Sequence, residues 1–495
     1  MIESSPPLRL QQKFWYGFGQ AAEGMKNTAF GVFLLLYYSQ LLGLEAWLAG
    51  LALALSLCFD AVSDPVTGSL SDSTTHRFGR RHPWMYAAAV PLWITFSLSF
   101  RPPAELGQLG LFSWMLVSVV LTRAAMALYH VPHLALGAEL TDDYHERTSV
   151  VAWRLVFGLL GGIVLAIVCR QVFLQPTLEF PNGELNPAGY KRMAFFFGIL
   201  MMIAIFLSAL GTHSRIPYLH TATMSVPFSL RRLWREMSEA LSNRSFRNLF
   251  VGVLLFFIAR GLADALGIYM STFFWRLKTG DVLLMPVIGG LGIFLGAPIF
   301  TLIGRRMDKK RLFEIGVWWF SILTLLLPTL KIVGYYPAFE SPFYIGLIYA
   351  FVFLAAFGAG ASLVASGSMM ADIADEHEYE LGRRQEGVFF GALSFSGKAA
   401  VGVGSGLAGA ALSLISFPKQ VTPEDVPIEV IDLLGIIAGP GVAGLMIVGA
   451  IIMTRYHLTQ DRVAMIQAAL TERRRPTPAA AEAVAVAHSA ALERA

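Results

Sequence analysis

The chain is poor in charge. Asp, Glu, Lys and Arg make up 15% of its 495 residues, against roughly 25% in an average soluble domain. Beside a 55% share of apolar and aromatic residues and a mean hydropathy of +0.58, that deficit excludes a soluble globular enzyme. It excludes intrinsic disorder for the same reason. Cysteine is nearly absent: Cys58 and Cys169 are the only two, each inside an apolar run. They build no disulfide framework, and no zinc, haem or iron–sulfur spacing occurs. A strong surplus of either sign is missing as well. The 38 basic and 34 acidic residues leave a net charge of +4, too mild to suggest nucleic acid as a partner. Met1 to Lys13 is polar and the first apolar stretch leads to another apolar stretch, so no removed signal peptide is expected.

What the chain has is long apolar runs. A membrane-spanning helix needs about 20 mostly apolar residues. Runs of that kind fall near 14–42, 46–72, 84–101, 108–137, 149–174, 191–213, 246–275, 282–304, 312–333, 342–373, 387–416 and 430–455. The expectation is an all-α membrane protein with twelve transmembrane helices. Its first six-helix bundle covers 1–213, a basic linker 214–245, a second six-helix bundle 246–459, and a disordered tail 460–495. Lys and Arg gather in the loop after the second span (Arg77, Arg80, Arg81), in the loop after the eighth (Arg305, Arg306, Lys309, Lys310, Arg311), in the linker and in the tail. Both termini are therefore expected at the cytoplasmic side. The basic loop recurs at the same place in each half, a weak internal repeat of the kind secondary transporters are assembled from. Gly158 and Gly162, Gly292 and Gly296, Gly387 and Gly391, and Gly402 and Gly406 are small pairs four apart, suited to close helix contact.

Charges inside the spans carry the functional reading. A charge at the helix centre costs about 3 kcal/mol on insertion scales, so each needs a partner or a task. Asp60 and Asp64 share one face of the second span, and Pro65 leaves the Ala61 carbonyl without a helical donor. Two such carboxylates repel unless a cation or proton joins them, and the oxygens suit a hard ion such as sodium. Arg154 on span 5 and Lys398 on span 11 are the expected counter-charges. Glu23, Lys26 and Asn27 on span 1, His130 on span 4, and Arg260 with Asp264 on span 7 are candidates for lining a substrate cavity. Asp72, Arg77, Arg80, Arg81 and Asp142 are candidates for a cytoplasmic gate. No cofactor is expected beyond a coupling sodium ion or proton, and the expected partners are a small-molecule solute and the bilayer, with the chain working as a monomer. An intramembrane aspartyl protease, the remote enzymatic alternative, would need its two aspartates to face each other from different helices.

The segment from Asp60 through Asp64, Pro65 and Gly68 to Asp72, with Arg77-Phe78-Gly79-Arg80-Arg81-His82-Pro83-Trp84 after it, resembles the signature of the glycoside-pentoside-hexuronide:cation symporters. This is the melibiose-permease-like branch of the major facilitator superfamily. Ala371-Asp372-Ile373-Ala374-Asp375, Glu378-Tyr379, Arg384, Glu386, Gly387 and Lys398 resemble that family's span 10 to 11 region, and Tyr16-Gly17-Phe18-Gly19 its opening. The resemblance implies the major facilitator fold, two pseudo-symmetric six-helix bundles around a central cavity working by alternating access. It implies that Asp60 and Asp64 bind the coupling cation, and that Arg154 and Lys398 match the family's span 5 arginine and span 11 lysine. It also implies a sugar or glycoside as solute, carried across a cytoplasmic (inner) membrane. The sugar-recognition positions depart from the melibiose pattern, with Gly24 and His130 where aspartates are expected. His130-Val131-Pro132 resembles instead the sodium-dependent lysophosphatidylcholine symporter, so a lysophospholipid or other amphiphile is the alternative solute.

Overall fold

The computed structural model describes residues 7–141, 143–219, 241–304, 307–381 and 386–474, with Arg235 and Ser238 besides. Side chains at 61, 62, 381–396 and 399–401 are among those outside the description. Asp142, Arg305, Arg306, Arg384 and most of the basic linker therefore lie outside the described residues, as do the side chain of Glu386 and the surroundings of Gly387 and Gly391.

Among the described residues the chain folds into twelve long helices and one short helix near the end, with a five-residue helix (Thr279–Leu283) and two 3-10 turns (Gly183–Leu185 and His213–Tyr218) in the connections and no strand. The helix α1 runs over Leu10–Thr28 and continues through the π-turns Ala29–Leu34 and Tyr37–Leu41. Then come α2 (Ala46–Ser73), α3 (His82–Ser99), α4 (Gln108–Glu139), α5 (Tyr144–Val168, continued by Cys169–Phe173) and α6 (Pro187–Thr212). The second half holds α7 (Arg244–Tyr269, continued by Met270–Phe274), α8 (Met285–Gly304), α9 (Lys309–Ile332), α10 (Phe343–Leu381), α11 (Glu386–Leu414) and α12 (Ile428–Ile436, continued by Ile437–Gly441 and Val442–Met453). The last helix, α13, is Gln460–Arg474.

Helix starts follow from local chemistry. The Asn186 side chain accepts from Ala188 N, and Pro187 occupies the first turn of α6, where its missing N–H costs nothing. Asp143 caps α5 through Glu146 N at 2.8 Å, and Asn243 caps α7 through Phe246 N at 2.8 Å. Gly79 has φ +72° in the turn between α2 and α3, a left-handed conformation that suits glycine.

Nine of the described helices are long and apolar enough to cross a membrane by length and composition. The first, third and eleventh long helices complete the twelve; α1 and α3 fall short on polar residues or length. Large apolar side chains such as Leu155, Phe294 and Ile322 stay exposed, as lipid-facing positions do. Within the first half α1 packs on α5 and α6, α3 on α4 and α6, and α2 on α4. Within the second, α7 packs on α11 and α12, α8 on α10, and α9 on α10 and α12. The two halves meet mainly through α2 against α11, with smaller contacts of the α1 π-turn Ala29–Leu34 against α7 and of α5 against α8.

The close approaches at the glycine pairs are real. A methyl group on Gly292 would lie 2.5 Å from the Phe353 carbonyl oxygen, and one on Gly296 would lie 2.3 Å from that of Phe357. One on Gly402 would strike Leu57 across the halves.

One expectation needs correction. The segment from 460 was expected to be disordered, yet Gln460–Arg474 is a helix packed on α10, with Ile466 and Leu470 buried. Its polar side ties down as well: Gln467 donates to Asp375 at 3.1 Å, and Gln460 N to Asp308 at 3.2 Å. Val463, Ile466 and Leu470, at spacings of three and four, give this short helix one apolar stripe with which to seat on a helical face.

Candidate functional site

Asp60 and Asp64 stand on one face of α2, as their spacing requires, and each has its own direct ion-pair partner, with Lys398 also within electrostatic reach of Asp60. Asp60 is ion-paired to Arg123 of α4, and the side chains are only 9% and 5% exposed. Asp64 is ion-paired to Lys398 of α11, with 25% and 28% exposed. The first pair lies wholly within one half and is sealed. The second joins the halves and is reachable. The Ser63 hydroxyl is buried without a hydrogen-bond partner beside them, so a further oxygen is on hand for a hard cation.

Arg154 was expected as the second counter-charge. It lies instead within electrostatic reach of Tyr16, His130 and His133, and Arg123 takes the place expected of it at Asp60. Arg123 is visible in the sequence as a charge inside a span, but nothing in its spacing names its partner two helices away.

The six cavity candidates fall into two groups: Asn27, Arg260 and Asp264 line a common cavity, whereas Glu23, Lys26 and His130 gather around one another and are not among its lining residues. Glu23 Oε1 accepts from Lys26 Nζ at 3.2 Å and from Asn27 Nδ2 at 3.1 Å. His130 Nδ1 stands 4.0 Å from Glu23 Oε2, and both atoms are buried without a partner. Asn27 and the neighbouring Gly24 line a cavity of about 700 Å³ between the halves. Arg260 and Asp264 line its other side, joined at 3.0 Å, with the Arg260 guanidinium 5.3 Å from the Phe320 ring centre. The remaining wall is mostly small or apolar, including Gly158 and Gly162 of α5 and Gly289 and Gly290 of α8. A chamber with few polar groups set in an apolar wall is what a small-molecule site looks like.

The gate candidates separate into bound and unbound members. Arg81 donates to Glu139 at 2.8 Å, to Asp72 at 2.5 Å and to Ser71 at 2.5 Å, and Arg80 meets Glu139 at 2.9 Å. The loop between α2 and α3 is thereby pinned to the end of α4. Arg77 takes no part in that knot; its guanidinium lies 4.7 Å from the Phe78 ring centre. The second half repeats the device. Lys309, the first residue of α9, bonds Asp372 of α10 at 2.7 Å, so each half ties the start of its third helix or the loop before it to its own fourth helix.

One buried ion pair escaped the sequence reading. Arg170 Nε donates to Glu184 Oε1 at 2.8 Å, with the side chains 5% and 2% exposed. Glu184 sits in a polar connection, Gly183–Leu185, that carries no hydrophobic pattern, so no sequence signal marks it as buried.

The family described as MFS/sugar transport protein matches residues 15–460. The chain is 24% identical over 476 residues to the inner membrane symporter YicJ of Escherichia coli, covering 95% of this chain and 97% of that one. It is 22% identical to the sodium-dependent lysophosphatidylcholine symporter 1-A of Danio rerio, covering 93% and 88%. The crystal structure of the nucleoside transporter NupG superposes with a TM-score of 0.63 at 13% identity, covering 91% of this chain and 99% of that one. The fold is therefore that of the major facilitator transporters, and the chain belongs to the MFS/sugar transport protein family as a multi-pass integral membrane transport protein.

Proposed function

We propose that the protein is a cation-coupled symporter that moves a small organic solute by alternating access, with the solute in the cavity between α1, α5, α7 and α8. The observation that carries this reading is the Asp64–Lys398 ion pair, which places an exchangeable carboxylate between the halves beside a sealed one. A sodium ion or proton arriving at Asp64 competes with Lys398 and loosens the contact between α2 and α11. Solute and ion then favour each other by the same factor, as linkage of binding free energies demands. Arg80 and Arg81 exchange partners with Glu139 and Asp72 as the halves rock. Asp142 belongs to the same gate in this reading, and Arg77 serves topology. The two bundles divide at the linker 214–245, both termini face the cytoplasm, and a single chain in the cytoplasmic membrane is the working unit.

The family description favours a sugar or glycoside as solute. A specific observation favours an amphiphile as the second reading. The cavity wall is largely apolar, and His130 of α4 stands where a sugar-binding carboxylate was expected. A thermal-shift screen of the purified protein against sugars, glycosides, uronates and lysophospholipids, with and without sodium, tests both. A solute that raises Tm more in sodium than in potassium supports coupled symport. Ligands that stabilise equally in both salts and at every pH contradict it.

A further inference from the structure

The end of the molecule opposite the N-terminus holds a cross-half contact to which the transport reading assigns no role. Glu184, in the connection between α5 and α6, uses both carboxylate oxygens. Oε1 accepts from Arg170 Nε at 2.8 Å within its own half, and Oε2 accepts from Thr272 Oγ1 of α7 at 2.9 Å in the other half. Glu184 is 1% exposed and Thr272 is 1% exposed. Next to this bridge the hydroxyls of Ser39 and Tyr269 join α1 to α7. Arg170 and Ser271, the neighbour of Thr272, both line the cavity. The contact therefore stands at the cavity's margin.

The three helices that meet here, α1, α5 and α7, all widen into π-turns at this end: Ala29–Leu34 and Tyr37–Leu41, Cys169–Phe173, and Met270–Phe274. Thr272 itself sits on such a turn. Widened turns of this kind occur mostly as single insertions and often at functional sites.

We propose that Glu184 is a positioning residue for transport, the latch that closes the cavity at this end through Thr272. The inference rests on the alternating-access reading. The chemistry suits repeated opening. Parting the halves breaks a hydrogen bond from a neutral hydroxyl, while the Arg170–Glu184 ion pair stays whole inside the first half. No buried charge is stranded, which is the costly outcome that breaking an ion pair would bring. The carboxylate is held in place by Arg170 and by the bond from Tyr190 Oη to the Glu184 carbonyl at 2.8 Å, so it is ready to receive Thr272 again on closure.

The test uses Ile293→Cys on α8 as a reporter, since Ile293 lines the cavity, in the full chain with Cys58 and Cys169 replaced by alanine. Vesicles of both orientations are treated with a membrane-impermeant methanethiosulfonate, and labelling is read from each side. Thr272→Val keeps shape and removes the donor. It should raise labelling from the latch side roughly tenfold, the effect of losing one hydrogen bond to a charged acceptor, and lower it from the other side. Thr272→Ser should label like the parent. Glu184→Gln should also raise latch-side labelling. Parental rates in both Thr272→Val and Glu184→Gln overturn the latch, and so does an equal rise in Thr272→Ser or a rise from both sides at once. A reporter labelled equally from both sides in every variant, the parent included, would instead sink alternating access itself.

Discussion

Lys398 of α11 and Asp64 of α2 are joined in an ion pair that crosses from one half of the molecule to the other. Neither side chain is sealed from solvent, so the pair can open without local unfolding. Replacing Lys398 by glutamine leaves Asp64 without its resident base. The expected outcome is a sodium half-saturation, read from the Tm shift, that falls roughly twofold to fivefold, the scale of a partly exposed pair. An unchanged half-saturation would mean that Lys398 does not compete with the ion.

Asp60 and Arg123 form the contrasting pair, buried on both sides. Removing one partner of such a pair typically costs about 3–5 kcal/mol, because the other charge is left in an apolar setting. Asp60→Asn and Arg123→Gln should each lower Tm strongly. The double variant should recover most of the loss, since both charges leave together. Thermal unfolding of the four proteins as a double-mutant cycle checks this, and additive losses would show that the pair is not coupled.

Packing between α1 and α5 depends on one backbone approach. A methyl group on Gly24 would fall 1.9 Å from the Gly158 carbonyl oxygen, whereas one on Gly267, across the same cavity, meets nothing within 4 Å. Gly24→Ala should therefore cost about 1–3 kcal/mol, as overpacking does, and Gly267→Ala should be close to neutral apart from helix propensity. Melting curves that rank the two in the opposite order would contradict the described helix spacing.

The start of the chain is docked by Glu146, which lies before the apolar part of α5. Desolvation, the largest single influence, raises its pKa, but it is outweighed jointly by the hydrogen bond from Thr141, by Lys13 at 3.1 Å and by the Leu8 N–H, so the carboxyl titrates below the usual 4.5. A carboxylate depressed in the folded state stabilises it fully above the unfolded pKa and ceases to do so as pH falls through the folded one. Hydrogen-exchange protection of the Leu8 amide, normalised for intrinsic rate, should hold from neutral pH down to about 4.5 and fall below that. Glu146→Ala should lack the protection already at pH 7, and a parental value in that variant would refute the docking role.

Much of this molecule could be read from its residues, because in a membrane the rules are few. Apolar runs long enough to span gave the helix number, and charges inside them gave Asp60, Asp64 and Lys398, since each must have a partner or a task. Partner identity was harder. Arg123 and Arg154 present the same signal, a lone arginine in a span, and only the packing of α2 against α4 chooses between them at Asp60. Glu184 was invisible because polarity in a loop predicts exposure, while here the loop folds back between the halves. The helix α13 was hidden by the low hydropathy of the tail, although Val463, Ile466 and Leu470, at spacings of three and four, form its apolar stripe.

Cation-coupled symport as proposed requires a cation to bind at Asp64 in competition with Lys398. Its most direct test is the change in Tm of purified parent and Asp64→Asn across a sodium titration at fixed pH and across a pH titration without sodium. The parent should respond saturably to one of the two ions and Asp64→Asn to neither, with both proteins folded at the start. A parental response retained in Asp64→Asn would contradict it.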